Sequence, residues 1–171
     1  MNGKIISKIL GIRIWIYTRY IKRKLASVGN DFRVHSHFWI NHGENIYIGD
    51  NVTVQNFNSF IATGKIIIGN NVSIRNFCEF NGDIEIGNNV SFSSQCYVTS
   101  RDHNRKDHEL RDDKEGKVKI GNNVQIFNGV KILKGVIIKD NVLVRAGAVV
   151  DKDIPSNSIV YGNPMIILKA K

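Results

Sequence analysis

The sequence predicts a parallel β-helix, and three observations carry that reading: a repeat of about eighteen residues, alternating apolar positions inside each unit, and an asparagine at one fixed place in every unit. Five segments align: IGDNVTV from Ile48, IGNNVSI from Ile68, IGNNVSF from Ile86, IGNNVQI from Ile120 and IKDNVLV from Ile138. Their starts lie 20, 18, 34 and 18 residues apart, so the third gap is one repeat plus sixteen extra residues. Apolar residues alternate at Ile86, Val90 and Phe92, and again at Val130, Ile132 and Val136, which marks short strands with one face inward. Asn51, Asn71, Asn89, Asn123 and Asn141 recur in register; asparagine tolerates left-handed backbone, so it suits a corner. Three short strands and three corners per coil satisfy the pattern, with coils stacked at about 4.8 Å. The alternating positions then form inward ladders such as Ile48, Ile68, Ile86, Ile120 and Ile138.

Taken in chain order, residues 1–33 read as a basic amphipathic arm, 34–164 as the β-helix of about six coils, and 165–171 as a C-terminal tail. The arm holds the charge. Residues 1–35 carry eight Lys/Arg against Asp31, a net of +7 out of the chain's +9. Ile5, Ile9, Ile12, Ile16 and Tyr20 fall on one helical stripe, with Lys4, Lys8, Arg19 and Lys22 largely off it. A β-helix leaves its ends open, so the arm is expected to cap one of them. The alternative is an interfacial helix on anionic lipid, favoured by Trp15, Tyr17, Tyr20 and the dense positive charge. Nucleic-acid binding is not expected, since no recognised motif accompanies that charge.

The early apolar run is cut by Lys8 and Arg13 without a small-residue cleavage site, and the uncharged piece Ile14–Thr18 is far short of a bilayer span. The expected compartment is therefore cytoplasmic, peripheral at the inner membrane face if the arm binds lipid. Two cysteines are too few for a secreted disulfide framework. Cys78 and Cys96, eighteen apart, should stack as small buried filler.

The sixteen extra residues belong to the run SRDHNRKDHELRDDKEG, extruded over about 101–116, which holds two histidines and eleven charged residues. So polar an excursion from a rigid scaffold is where function is expected.

Rows of the form I-G-x-N-x-V grouped in eighteens resemble the hexapeptide-repeat acyltransferases. The ending VLVRAGAVVDKDIPSNSIVYGNP resembles the closing coils of the maltose, galactoside, xenobiotic and polysaccharide O-acetyltransferases. The likeness runs from about Val34 to Pro164. It implies a left-handed β-helix, a homotrimer, and acetyl-CoA as acyl donor. It also places the catalytic histidine at the start of the extruded loop, here His103, with His108 as rival and a carboxylate such as Asp102 to orient the ring. Imidazole titrates near neutrality and can take the proton of an attacking hydroxyl. For a sugar or glycan acceptor the matching residues are Asn76 and Asp83, against the plainer reading that both close turns. For the donor they are Gly129, Ala146 and Lys152. No metal ligand set is expected, because His35, His37 and His42 sit at the opening coil, far along the chain from His103 and His108.

The chain departs from the family pattern in several places, among them Asp151, which stands where the family has Thr before Lys-Asp-Ile-Pro. Gln125-Ile126-Phe127 replaces Trp-Ile-Gly, Arg145 replaces a glycine, and Arg105 replaces a second histidine. The expected function is acetyl transfer to a sugar hydroxyl in cell-surface polysaccharide assembly. Amino-sugar N-acetyl transfer, a serine-type acetyltransferase and a catalytically lapsed binding module are the alternatives.

Overall fold

In the computed structural model, residues 3–101 and 116–169 are described. Helix α1 (Gly3–Lys22) is followed by short strands that wind into three parallel sheets, the faces of a triangular prism. The third coil shows the unit. Ile66–Ile68 lies on the first face, Ser73–Ile74 on the second and Glu79–Asn81 on the third, with a corner after each. Six such coils stack in parallel, giving the expected all-β, left-handed β-helix with one N-terminal helix. The first coil opens at Ser27–Val28, upstream of residue 34.

Alternation sets the core. Ile48, Ile68, Ile86, Ile120 and Ile138 stack inside, each at most 4% exposed. Phe38, Phe60, Phe80 and Phe92 fill the axis edge to face, with ring centroids 4.7, 4.9 and 5.0 Å apart, the geometry their ring quadrupoles prefer. Cys78 and Cys96 are free and buried. Both thiols donate to Ser93 O at 3.1 Å, which suits small buried filler.

The asparagine corner works as expected. Asn51, Asn71, Asn89, Asn123 and Asn141 take φ between 53° and 58°, the left-handed region. Each side-chain amide donates to the carbonyl of the next rung, at 2.9, 3.1, 3.0, 3.1 and 3.1 Å along the row to Asn157. The extruded loop leaves this stacking intact: Ile84–Ile86 pairs in register with Val118–Ile120.

The two ends are finished differently. An end coil has backbone groups with no rung to pair with, and burying them unpaired is costly. At the amino end, Thr18 Oγ1 accepts from Val34 N–H (3.0 Å) and donates to Val34 O (3.2 Å). Tyr17 Oη does the same for Phe38, at 3.0 and 3.4 Å, and Ile21 is buried alongside. The cap is thus built from Tyr17, Thr18 and Ile21, not from the stripe Ile9, Ile12, Ile16 and Tyr20, which stays exposed. At the other end Ile166–Lys169, within the stretch read as a tail, adds an antiparallel strand to Ser158–Tyr161.

Candidate active site at the root of the extruded loop

The third corner, between the third and first faces, is where the repeat lapses. In the third coil it is Asn81-Gly82-Asp83, and in the fourth coil the chain departs through Thr99, Ser100 and Arg101. Gly82 takes φ +113°, and a Cβ there would run into Ser100 Oγ. That close approach lets the buried Ser100 hydroxyl accept from Asp83 N–H at 2.7 Å, while Ser100 N–H bonds Asn81 O at 2.9 Å. Thr99 Oγ1 accepts from Arg101 N–H and donates to Arg101 O, both at 3.1 Å, which fixes the direction in which the chain leaves.

Above this frame lies a cavity of about 330 Å³, lined by Thr63, Gly64, Asp83, Ser100, Arg101 and Lys117. Two acceptors at the corner are buried without a hydrogen-bond partner among the described residues: Asn81 Oδ1 and Asp83 Oδ1. Lys117 Nζ stands 3.9 Å from Asp83 Oδ1, too far for a hydrogen bond, because it is drawn to Glu85 Oε2 at 2.8 Å. The bond from Lys117 holds the Glu85 carboxyl below the usual glutamate range, with burial opposing weakly. The Asp83 side chain is 44% exposed at this cavity, and a carboxylate there can accept from a hydroxyl or an amine.

The other residues expected at the site fall elsewhere. His103, with Asp102, Arg105 and His108, lies outside the described residues. Asn76 is at the second corner, at the far end of the third face from Asp83. Its Oδ1 accepts from Asn56 N–H (3.0 Å) and Asn56 Nδ2 (3.3 Å), the corner chemistry weighed against an acceptor role. Gly129 and Ala146 also sit on the second corner, in the fifth and sixth coils. Gly129 has φ +71° with no atom near its missing Cβ, Gly147 has φ +72° and is equally open, and Ala146 is exposed between them. Phe127 and Arg145 are exposed on the same edge. Lower on that row, His37, Phe57 and Phe77 stack as parallel rings, 4.5 and 5.0 Å apart. Lys152 is exposed at the third corner of the sixth coil. The structure therefore puts Asn76, Gly129 and Ala146 along one edge of the prism, and Asp83 and Lys152 on another, three coils apart.

Thr63, Asn81, Ser100 and Lys117 escape the sequence reading. Their one signal is the run Asn-Gly-Asp, where a glycine interrupts the polar–apolar alternation just before a rung begins.

Residues 65–100 and 117–152 match the family described as bacterial transferase hexapeptide (six repeats), and the gap between the two matched stretches is the extruded loop. Among solved structures, a mutant of AntD, an N-acyltransferase from Bacillus cereus crystallised with dTDP and coenzyme A, superposes with a TM-score of 0.79 at 24% identity, over 90% of this chain and 88% of that one. A maltose O-acetyltransferase from Clostridium difficile 630 gives 0.62 at 27% identity, over 98% of this chain and 88% of that one. A galactoside acetyltransferase in complex with coenzyme A gives 0.56 at 29%, over 88% and 68%.

Proposed function

We propose, from the premise that this chain has the repeat and fold of the hexapeptide-repeat acyltransferases, that it transfers an acetyl group from acetyl-CoA to a sugar hydroxyl. Cell-surface polysaccharide assembly is the setting in which we place that reaction. The observation that carries the reading is the Asp83 carboxylate, which lines the cavity beside Arg101 and has one oxygen without a hydrogen bond among the described residues. His103 follows Arg101 by two residues in the chain. A sugar hydroxyl held by Asp83 is the group whose proton we assign to the His103 imidazole.

The step balances without a further reactant. The imidazole of His103 takes the hydroxyl proton as the oxygen attacks the thioester carbonyl. The tetrahedral intermediate collapses with loss of the C–S bond, and the imidazolium returns its proton to the departing sulfur, giving an acetyl ester and free coenzyme A. General-base help of this kind contributes about 10²–10⁴ in rate, and positioning supplies much of the rest.

Gly129 and Ala146 leave an open edge along which a pantetheine arm could run close to backbone, whereas Lys152, at the third corner, would meet a phosphate only away from that edge. Within one chain this edge and the cavity stand at opposite ends of the third face, roughly 15 Å apart at about 3.3 Å per residue. A site that combines them takes the edge from one protomer and the cavity from another, so a homotrimer is part of the proposal. Phe127 and Arg145 on that edge would set which acyl group fits.

A second reading is acetylation of an amino sugar. It is favoured by the same carboxylate, which would hold an ammonium as readily as a hydroxyl. One assay separates the readings. Thiol release from acetyl-CoA is measured over paired sugars that differ only in hydroxyl or amine at one carbon, with the parent chain and His103→Ala. Turnover of the hydroxyl sugar, lost on substitution, is the expected result. Equal rates for parent and variant would remove His103 from the base role, and turnover of the amine alone would transfer the activity to the second reading.

A further inference from the structure

Helix α1 has two apolar surfaces, and the β-helix covers only one. Tyr17, Thr18 and Ile21 face the first coil. Roughly opposite, at 100° per residue, run Ile9, Ile12, Ile16 and Tyr20, which are 46%, 52%, 56% and 53% exposed; Trp15 beside them is 63% exposed. Side chains that protrude this far contribute nothing to the cap. Such a stripe of large apolar groups on a surface calls for a partner.

The charge around the stripe indicates which partner. Arg13 and Arg19 flank it on either side, Lys22, Arg23 and Lys24 follow it, and no acidic residue occurs before Asp31. The Arg19 guanidinium lies 5.8 Å from the Trp15 ring centre and the Lys24 ammonium 4.6 Å from that of Tyr20, so cations are held level with the rings. Between α1 and the first coil a cleft of about 680 Å³ opens, lined by Arg19, Lys22, Arg33 and His35, with Asp31 the single acid.

We infer that α1 docks this protein on an anionic phospholipid surface. The stripe sinks below the headgroups, Trp15 and Tyr20 lie at the interface, and the flanking cations and the basic cleft meet lipid phosphates. A second copy of this chain is a poor occupant, because two such arms would oppose like charges with no carboxylate between them. Crossing the bilayer is not involved: no helix among the described residues is long and apolar enough to do so. Because the cap and the lipid face are different sides of one helix, docking leaves the first coil sealed. The inference stands independently of the acyl-transfer reading.

The test is flotation of the full chain with phosphatidylcholine vesicles, with and without phosphatidylglycerol. Binding is expected only with phosphatidylglycerol, weakening as salt is raised. Ile12→Gln with Ile16→Gln should lower partitioning on the order of 100-fold, from the loss of two buried aliphatic side chains. Arg13→Gln and Arg19→Gln should each lower it about fivefold. Particle mass by light scattering and turnover of a soluble acceptor should stay at parent values in all variants. Absence of binding to phosphatidylglycerol vesicles, or undiminished binding by the double isoleucine variant, would overturn the inference. A fall in particle mass in that variant would give the stripe to a second copy instead.

Discussion

The first and third corners of the prism are made from similar polar residues, and they differ in what those residues have left to do. At the first corner, from Asn51 to Asn157, each side-chain amide is spent on the next rung and the left-handed backbone suits the residue that adopts it. At the third corner the ladder fails. Among the described residues Asn81 Oδ1 and Asp83 Oδ1 have no hydrogen-bond partner, the chain bends at a glycine that admits no side chain, and the extruded loop departs. A repeat that satisfies its polar groups is architecture. Where it leaves them unsatisfied, it has room for a ligand.

That contrast can be broken from either side. The largest effect should come from His103→Ala, with kcat down about 10²–10⁴ and thermal unfolding unchanged, since the rungs Ile84–Ile86 and Val118–Ile120 pair directly with each other. The parent rate should rise with pH through an imidazole-like titration, and the variant's should not. Next, Gly82→Ala should destabilise the chain by about 3 kcal/mol, from the positive φ and the collision with the Ser100 hydroxyl, and acceptor turnover should fall with it. Asn89→Ala removes two ladder bonds and the residue suited to φ 56°, so urea unfolding should show a loss of about 2 kcal/mol, with the remaining folded protein fully active.

The smallest effect concerns Lys117. Its bond lowers the Glu85 pKa, so the pair contributes stability at pH above the unfolded glutamate value of about 4.3, lost as pH falls through the lowered folded value. Lys117→Met should change stability at neutral pH by less than about 1 kcal/mol, because Glu85 is half exposed. It should also move the acid unfolding midpoint upward.

How much of this is legible in the chain follows from periodicity. The isoleucine ladder and the asparagine corner repeat at fixed spacing, so one coil's chemistry is written several times over. The amino-terminal cap is harder to read. Apolar spacing points to Ile9, Ile12 and Ile16, whereas the seal depends on two hydroxyls, Tyr17 and Thr18, answering backbone groups that exist only because the first coil has no rung beneath it. Asp83 can be picked out by its likeness to a family position. Ser100 and Lys117 reach the same cavity from either side of the loop, where spacing carries no information about proximity. Asn76 shows the converse: an asparagine preceding Phe suggests a ligand, but its oxygen is already committed to Asn56.

The most direct test is the acceptor KM of Asp83→Asn, measured by thiol release at saturating acetyl-CoA. The substitution keeps the shape of the side chain and the backbone bond to Ser100 and removes only the carboxylate. If the Asp83 carboxylate at the third corner holds the sugar, acceptor KM rises at least about tenfold while the KM for acetyl-CoA and the unfolding temperature stay put. An unchanged acceptor KM would mean that this corner, however unsatisfied, is not where the acceptor binds.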